Sequence, residues 1–359
     1  MRILHVVEPF SSGIITFVIH LTAELTEHDH TVLHGSRDTE DNVYKVRKRF
    51  SEKVSFLSWE SAQRSINPFK DIFALFELIK ILRYSSYDVI HLHSAKAGFL
   101  GRLACRLLHI KEVLYTPNSA PFARTDISHI QRRIFVLLEK IGARLSDKII
   151  TCGLSEYKLY SSEGIRSRYI NNGIPIPEVT SRAQKDKDVI CIGFAGIATE
   201  QKAPKLFSDI ASHFINDQRV YFKWIGDGPL RDDIKASNIQ VTGWLKSYLD
   251  VTTHLEDIDI FLSTSQWEGQ PFAVIEAMRD SKCLLLFDCV GNTDLVSNGE
   301  NGFLYKSKQE AISRINDLLK NKSKLVSMGT RSRELCVQNH DIIETAKRYD
   351  LEYKELGKR

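Results

Sequence analysis

The chain alternates two kinds of apolar segment, and runs through that alternation twice. Ile3 to Val7, Thr31 to Gly35, Val54 to Leu57, Val89 to Leu92, Val113 to Thr116, Lys148 to Cys152 and Ser167 to Asn171 are short and strand-like. Between them, Ile14 to Leu25, Asp71 to Leu82, Ala97 to Leu108, Ile130 to Leu145 and Glu156 to Ser162 carry apolar residues at helical spacing. Strands alternating with helices predict a parallel sheet covered on both faces. At Asn172 the character changes: Gly173-Ile-Pro-Ile-Pro and the polar run to Asp188 have the breakers and charge of a linker. The rhythm then restarts, with strands at Val189 to Ala195, Tyr221 to Ile225, Ile239 to Thr242, Ile258 to Leu262 and Cys283 to Phe287. Helices are predicted at Pro204 to Ile215, Leu230 to Ala236, Leu249 to Leu255, Pro271 to Met278 and Gln309 to Lys320. The expected organisation is two α/β domains, 1–172 and 189–341, a linker at 173–188, and a C-terminal helical segment, 342–359, able to pack back on the first domain. In open α/β sheets ligands bind at the carboxyl ends of the strands, so two such domains facing each other would let two molecules meet in a cleft.

A length of 359 residues agrees with two cores. With 43% hydrophobic and 26% charged residues, the chain is neither disordered, collagen-like nor a coiled coil. No run approaches the roughly 18 apolar residues of a membrane span. MRILHVVEPF lacks the apolar core and cleavage site of a secretion signal, so a cytoplasmic location is expected. Six cysteines without a C-x-x-C pair read as buried free thiols, not as disulfides or a zinc site. Residues 1–170 hold 24 Lys and Arg against 18 Asp and Glu; residues 171–359 hold 25 against 27. That mild basic bias suits an anionic partner or a solvated surface, and is too weak for a dedicated nucleic-acid binder.

The sharpest chemistry lies at Trp267 to Met278, WEGQPFAVIEAM. A strand leads into a loop holding Glu268, and Pro271 stands where a helix begins. Helix-start amides near Gly269 and Gln270 are suited to an anion. Glu276 follows about one and a half turns into the helix, so two carboxylates can flank one ligand. Spacing alone leaves three readings open: a sugar-nucleotide site, a hydrolase acid/base pair, or two surface carboxylates.

The E-x7-E of Glu268 and Glu276, followed by Gly291-Asn-Thr-Asp-Leu-Val-Ser-Asn-Gly299-Glu-Asn-Gly302-Phe303, resembles the donor side of the retaining glycosyltransferase family 4. The resemblance spans nearly the whole chain. It includes Asp88-Val-Ile-His-Leu-His93-Ser-Ala-Lys-Ala-Gly98, Tyr169-Ile-Asn-Asn-Gly173, Phe194-Ala-Gly196 with Lys202, Trp224-Ile-Gly-Asp-Gly228-Pro229, and Val241-Thr-Gly-Trp-Leu245. Each piece is weak alone; in this order the set is specific, and it resembles especially the bacterial members that build surface polysaccharides. The resemblance implies an α/β GT-B fold: two Rossmann-like domains facing each other across a deep cleft.

It further implies residue roles. Glu276 would bind the nucleotide ribose, and Glu268 the donor sugar. The Gly269, Gln270, Pro271 and Phe272 loop would meet the sugar hydroxyls and phosphate. Lys202, beside Gly196, would hold the diphosphate and stabilise the leaving group. The segment around Gly243 would line the base pocket, and Gly13 would lie in the first domain's loop facing the diphosphate. His93 would sit beside the sugar and the acceptor oxygen; a lone histidine is more often a satisfied buried one, and the resemblance favours the site. Lys96 reads either as a second phosphate contact or as a solvated helix-start lysine, the latter favoured. No metal or other cofactor is implied. The expected partners are a nucleotide-diphosphate sugar, a uridine diphosphate sugar first, and a lipid-linked glycan acceptor. Gln131 to Lys148, a basic amphipathic stretch, is suited either to a core-packed helix or to peripheral contact with the inner face of the plasma membrane.

Three positions depart from the family pattern. Ile197 stands where an Arg usually follows Gly196, Ser12 replaces the first of two glycines, and Asn118-Ser119 stands where relatives tend to have His-Gly. These keep a second reading open, a non-catalytic relative that binds glycan or stabilises a partner. A GT-B epimerase or phosphorylase is the nearest enzyme alternative; the E-x7-E and the glycine-rich loop beyond it favour a transferase.

Overall fold

The computed structural model describes residues 1–35, 43–63, 67–177, 189–245 and 247–358. The chain divides into two compact units: Met1–Ala123, Ile127–Pro175 and Ile342–Arg359 form the first, and Arg124–Asp126 with Ile176–Asp341 the second. Of the predicted linker, 178–188 lies outside the described residues.

The first unit opens with β1 (Arg2–Val7), α1 (Ser12–Glu24), β2 (Asp29–Gly35), the short α2 (Val43–Arg47) and β3 (Ser55–Trp59). Then α3 (Pro68–Arg83) returns the chain to β4 (Val89–His93), beside β1. α4 (Ala95–Leu107), β5 (Val113–Thr116), α5 (His129–Gly142), β6 (Lys148–Thr151), α6 (Leu154–Ser162) and β7 (Arg168–Tyr169) continue outward. The parallel sheet runs β3-β2-β1-β4-β5-β6-β7. Strand order reverses between β1 and β4, so right-handed crossovers put α1 on one face and α3, α4 and α5 on the other. The side chains of β4 obey that division. Ile90 and Leu92 join a core with Leu78, Leu82, Leu100 and Ala104, while His91 and His93 lie against Phe17 of α1.

A buried ion pair fixes α4 to α5. The Arg102 guanidinium lies 3.2 Å from the Glu139 carboxylate and over the Tyr115 ring, and Tyr115 donates to Glu139 at 3.1 Å. All three side chains are buried. Removing one partner of such a pair leaves an uncompensated charge, at about 3–5 kcal/mol.

The second unit runs β8 (Ile190–Ala195), α7 (Pro204–Ser212), β9 (Val220–Ile225), β10 (Ile239–Val241), α8 (Tyr248–Glu256) and β11 (Ile260–Ser263). It continues through α9 (Phe272–Arg279), β12 (Cys283–Phe287), β13 (Gly302–Tyr305), α10 (Lys308–Lys320) and α11 (Lys322–Asn339). Its sheet, β10-β9-β8-β11-β12-β13, is also parallel and reverses between β8 and β11. Phe194, Phe207, Phe222 and Trp224 stack between β8, β9 and α7 with centroids 4.5–6.4 Å apart. The last helix, α12 (Ile342–Leu356), packs on α1 of the first unit. Its Tyr349, Tyr353 and Leu356 are fully buried there.

The elements differ from the predicted ones in places. Leu230 to Ala236 holds only a 3₁₀ turn, Arg231–Asp233. The Ser208 hydroxyl accepts from the amides of Lys235 and Ala236 at 2.9 and 3.0 Å, which draws the segment off a helical path. Among the described residues, the helices α2 and α11 and the strand β13 were not predicted. α11 turns small or polar residues, Gly329 and Ser332, inward with Leu325, Met328 and Cys336, so its apolar stripe is thin. The six cysteines are free; five are buried and Cys289 is partly exposed. Among the described residues no helix is long and apolar enough to cross a membrane.

Candidate active site

In the second unit the predicted residues gather at the carboxyl ends of β8 and β11, next to the reversal in strand order. β8 ends at Ala195, and Gly196 donates its N–H to the Ile225 carbonyl at 2.9 Å. A 3₁₀ turn, Glu200–Lys202, follows, and left-handed Ala203 (φ 46°) redirects the chain into α7, where Pro204 starts the helix. Thr264, just after β11, donates to the Lys202 carbonyl at 2.6 Å, and the Gln266 amide donates to Gln201 at 2.8 Å. These two bonds bind the lysine turn to the glutamate loop.

Lys202 and Glu268 form an ion pair through Nζ and Oε1, with side chains 21% and 8% exposed. Gln201 donates to the other Glu268 oxygen at 3.2 Å and to the Trp267 carbonyl at 2.7 Å. Gln201 was not singled out from sequence; only its place beside Lys202 could have pointed to it. Behind the loop stands Gly291, with φ 87°. A Cβ there would lie 2.4 Å from the Gly269 carbonyl oxygen and 2.7 Å from Glu268 Cβ. Only glycine fits both that conformation and that approach, so Gly291 positions the glutamate loop. Its residue type and place in the glycine-rich stretch were legible; its contact was not.

Gly269 and Gln270 are buried, and Pro271 occupies the N-cap of α9 with no capping bond. Pro271 has no N–H, so it cannot share in an amide cradle as Gly269, Gln270 and Phe272 can. Glu276 is buried on α9, 5% exposed. Gly243 follows β10 with φ 70°, and a Cβ there would lie 3.6 Å from an Asp227 carboxylate oxygen. Thr242 ties this corner to β9 by accepting from the Gly226 amide at 3.0 Å. Ile197, at the position lacking Arg, is partly buried, and its Cγ2 would lie 3.0 Å from a Cβ on Gly228.

In the first unit, Gly13 lies in the opening turn of α1, and His93 ends β4 in register with Val7 of β1. His93 is fully buried. Its Nε2 meets His5 Nδ1 at 3.1 Å, and its Nδ1 has no hydrogen-bond partner. Burial pushes its pKa down to about 3, so the imidazole is neutral near pH 7. It can give or take a hydrogen bond there but cannot serve as a cation. His5 continues to His30 at 3.1 Å, and His91 bridges Tyr353 of α12 and Thr116 at 2.7 and 2.8 Å. His5, His91 and His93 bring one nitrogen each within 4.8 Å, a spacing open to a metal. Both nitrogens of His5 and of His91 already have hydrogen-bond partners, so a chain of neutral imidazoles accounts for the cluster.

The other candidates are engaged locally. Lys96, expected as a solvated lysine, is instead mostly buried, because it pairs with the equally sheltered Asp71 at 2.7 Å. Asn118 and Ser119 have φ of 59° and 151°, backbone conformations that favour glycine.

Two tandem Rossmann-like units, with their loops at the carboxyl edges of parallel sheets, are the GT-B class of fold. A model described as Glycosyltransferase Family 4 matches residues 11–177, and one described as Glycosyl transferases group 1 matches residues 186–321. The chain belongs to glycosyltransferase family 4. It is 28% identical over 265 residues, 67% of this chain and 68% of the relative, to the Escherichia coli UDP-Gal:alpha-D-GlcNAc-diphosphoundecaprenol alpha-1,3-galactosyltransferase. To the Campylobacter jejuni N,N'-diacetylbacillosaminyl-diphospho-undecaprenol alpha-1,3-N-acetylgalactosaminyltransferase it is 22% identical, covering 93% of this chain and 96% of that one. Among solved structures, Anabaena HepE in complex with UDP and glucose superposes with a TM-score of 0.78 at 17% identity, covering 99% of this chain and 100% of that one. At that identity the likeness establishes the fold.

Proposed function

We propose that this glycosyltransferase moves a hexose from a nucleotide-diphosphate sugar, a uridine diphosphate sugar first, onto a growing lipid-linked surface glycan, with retention of configuration. The observation that carries this reading is the Lys202–Glu268 pair, held by Gln201 and Gly291 where β8 and β11 end. It offers a cation to a diphosphate and a carboxylate to sugar hydroxyls. The names of the two enzyme relatives support a lipid-linked acceptor, since both specify diphospho-undecaprenol carriers. The first also names a UDP sugar.

On donor binding the diphosphate takes Lys202 from Glu268, and the freed carboxylate accepts from the sugar hydroxyls. Glu276 holds the ribose, the region around Gly243 the base, and the amides of Gly269, Gln270 and Phe272 the hydroxyls and phosphate. The bond from the anomeric carbon to the diphosphate oxygen breaks while the acceptor oxygen bonds that carbon on the same face. The acceptor's proton passes to the departing phosphate oxygen, whose charge Lys202 stabilises. Gly13 and neutral His93 serve from the first unit, His93 as a hydrogen-bond partner for sugar or acceptor. No metal takes part in this scheme. The work is placed at the cytoplasmic face of the membrane, where a lipid-linked acceptor is presented. The competing reading, a non-catalytic relative, draws on Ile197 and Asn118.

Calorimetric titration with UDP sugars, GDP sugars and free diphosphates, each with and without EDTA, separates them. A UDP sugar is expected to bind, with affinity unchanged by chelation. No binding across the panel supports the non-catalytic reading. Binding that vanishes in EDTA and returns with magnesium or manganese refutes the metal-free scheme.

A further inference from the structure

We propose that the outer face of α3, α4 and α5 is a docking surface for an anionic lipid membrane. The membrane setting rests on the lipid-linked acceptor above; the surface itself is read from the first unit alone.

α3 is apolar on two sides. Ala74, Leu78 and Leu82 are buried against the sheet, as a covering helix requires. Phe69, Ile72, Phe73 and Phe76, spaced i, i+3, i+4 and i+7, form a second stripe turned outward, with the three phenylalanines 79%, 68% and 64% exposed. α5 repeats the pattern. Val136, Glu139 and Gly142 face inward, and Ile130, Ile134, Leu137 and Ile141 are exposed. α4 packs against both helices and adds exposed Leu107. Scattered exposed apolar residues need no explanation; two parallel stripes joined through one helix do.

The charges on the same helices have one sign outward. Lys70, Lys80 and Arg83 of α3, Arg106 of α4, and Arg133 and Lys140 of α5 are exposed. The three helices hold three carboxylates, and each is turned away. Asp71 pairs with Lys96, Glu77 accepts from the amides of Glu60 and Ser61 at 2.9 and 2.7 Å, and Glu139 is buried against Arg102. Glu163, on the neighbouring segment, reaches Arg132 at 2.9 Å and Lys140 at 4.0 Å, offsetting part of the charge at that edge. An apolar stripe with exposed cations on the same helices complements lipid, with aromatic and aliphatic side chains at the acyl boundary and cations at the phosphates. A second copy is a poorer occupant, because a two-fold contact would set one cationic face against its twin.

The test is flotation of the full chain with vesicles of phosphatidylcholine alone, or with about 30% phosphatidylglycerol, at low and high salt. Wild type is expected to float with the anionic vesicles and to be released by salt. The triple variant Phe69→Ser/Phe73→Ser/Phe76→Ser should lose partitioning by at least about tenfold, and Arg133→Glu/Lys140→Glu should lose the preference for anionic lipid. All five side chains are exposed, so an unchanged unfolding transition is expected to confirm that the variants fold. Turnover on a water-soluble acceptor analogue should be unaltered, while turnover on vesicle-borne acceptor falls. Wild type that ignores anionic vesicles, or a triple variant that binds them equally well, overturns the proposal. So does concentration-dependent self-association abolished by the triple variant without vesicle binding, which assigns the face to a second copy. Vesicle binding by an enzyme inactive on every acceptor would count against the transferase reading and leave the docking surface standing.

Discussion

Lys202→Ala is expected to weaken nucleotide-diphosphate sugar binding by at least about 100-fold, measured by calorimetric titration. A charge-assisted contact to phosphate contributes about 1.5–3 kcal/mol. The loss does not end there, because Lys202 also neutralises Glu268, whose side chain is only 8% exposed. In the variant that carboxylate keeps Gln201, 3.2 Å away, as its remaining described partner, and its charge then opposes the incoming diphosphate. Nearby Lys205 is 72% exposed and pairs with Asp209 at 2.8 Å, so it is a poor substitute. Ile197→Arg should act the other way, tightening binding by about tenfold, one added cationic contact. Because Ile197 lies against the Gly228 turn, the longer side chain must leave by its open side. Tight wild-type binding that is indifferent to Lys202 would refute this assignment and move the phosphate site to another basic residue.

Glu276→Ala and Glu268→Ala are expected to separate nucleotide recognition from sugar recognition. If Glu276 accepts hydrogen bonds from the ribose, its removal weakens free UDP as well as the intact donor, by about 10–100-fold. Glu268 holds Lys202 in the ligand-free state. Its removal frees the cation, so free UDP should bind as well as before or better, while transfer falls steeply. Titration of free UDP into both variants, with turnover measured alongside, is the check. Equal losses of free-UDP affinity in the two variants would contradict the separate roles.

The alternation of strand and helix was legible because buried parallel strands and amphipathic helices each impose their own period. Elements lacking a strong apolar period were not. α11 packs through Gly329 and Ser332 as much as through Leu325, and β13 is four residues between polar turns. The Leu230 to Ala236 segment had helical spacing, yet the Ser208 hydroxyl, distant in sequence, holds it otherwise. The site shows the same split. Residue types named Lys202, Glu268 and Gly196, and strand order sets Lys202 and Glu268 side by side. That they pair with each other depends on tertiary bonds through Thr264 and Gln266, which no local pattern encodes. The histidine chain was invisible for the same reason. His5, His30, His91 and His93 sit on three strands and meet only when the sheet order makes β2, β1 and β4 neighbours.

Transfer of a sugar to a lipid-linked glycan is tested most directly by radiolabelled UDP-sugar turnover. Purified wild type and Lys202→Ala would be incubated with lipid-linked glycans extracted from a polysaccharide-producing strain, with EDTA present throughout. Label is expected in the lipid fraction with wild type, with an α-linkage by NMR when the donor is an α-linked UDP sugar, and a loss of at least about 100-fold in the variant. Label that never leaves the nucleotide while the donor binds tightly, or transfer that proceeds equally well without Lys202, would contradict it.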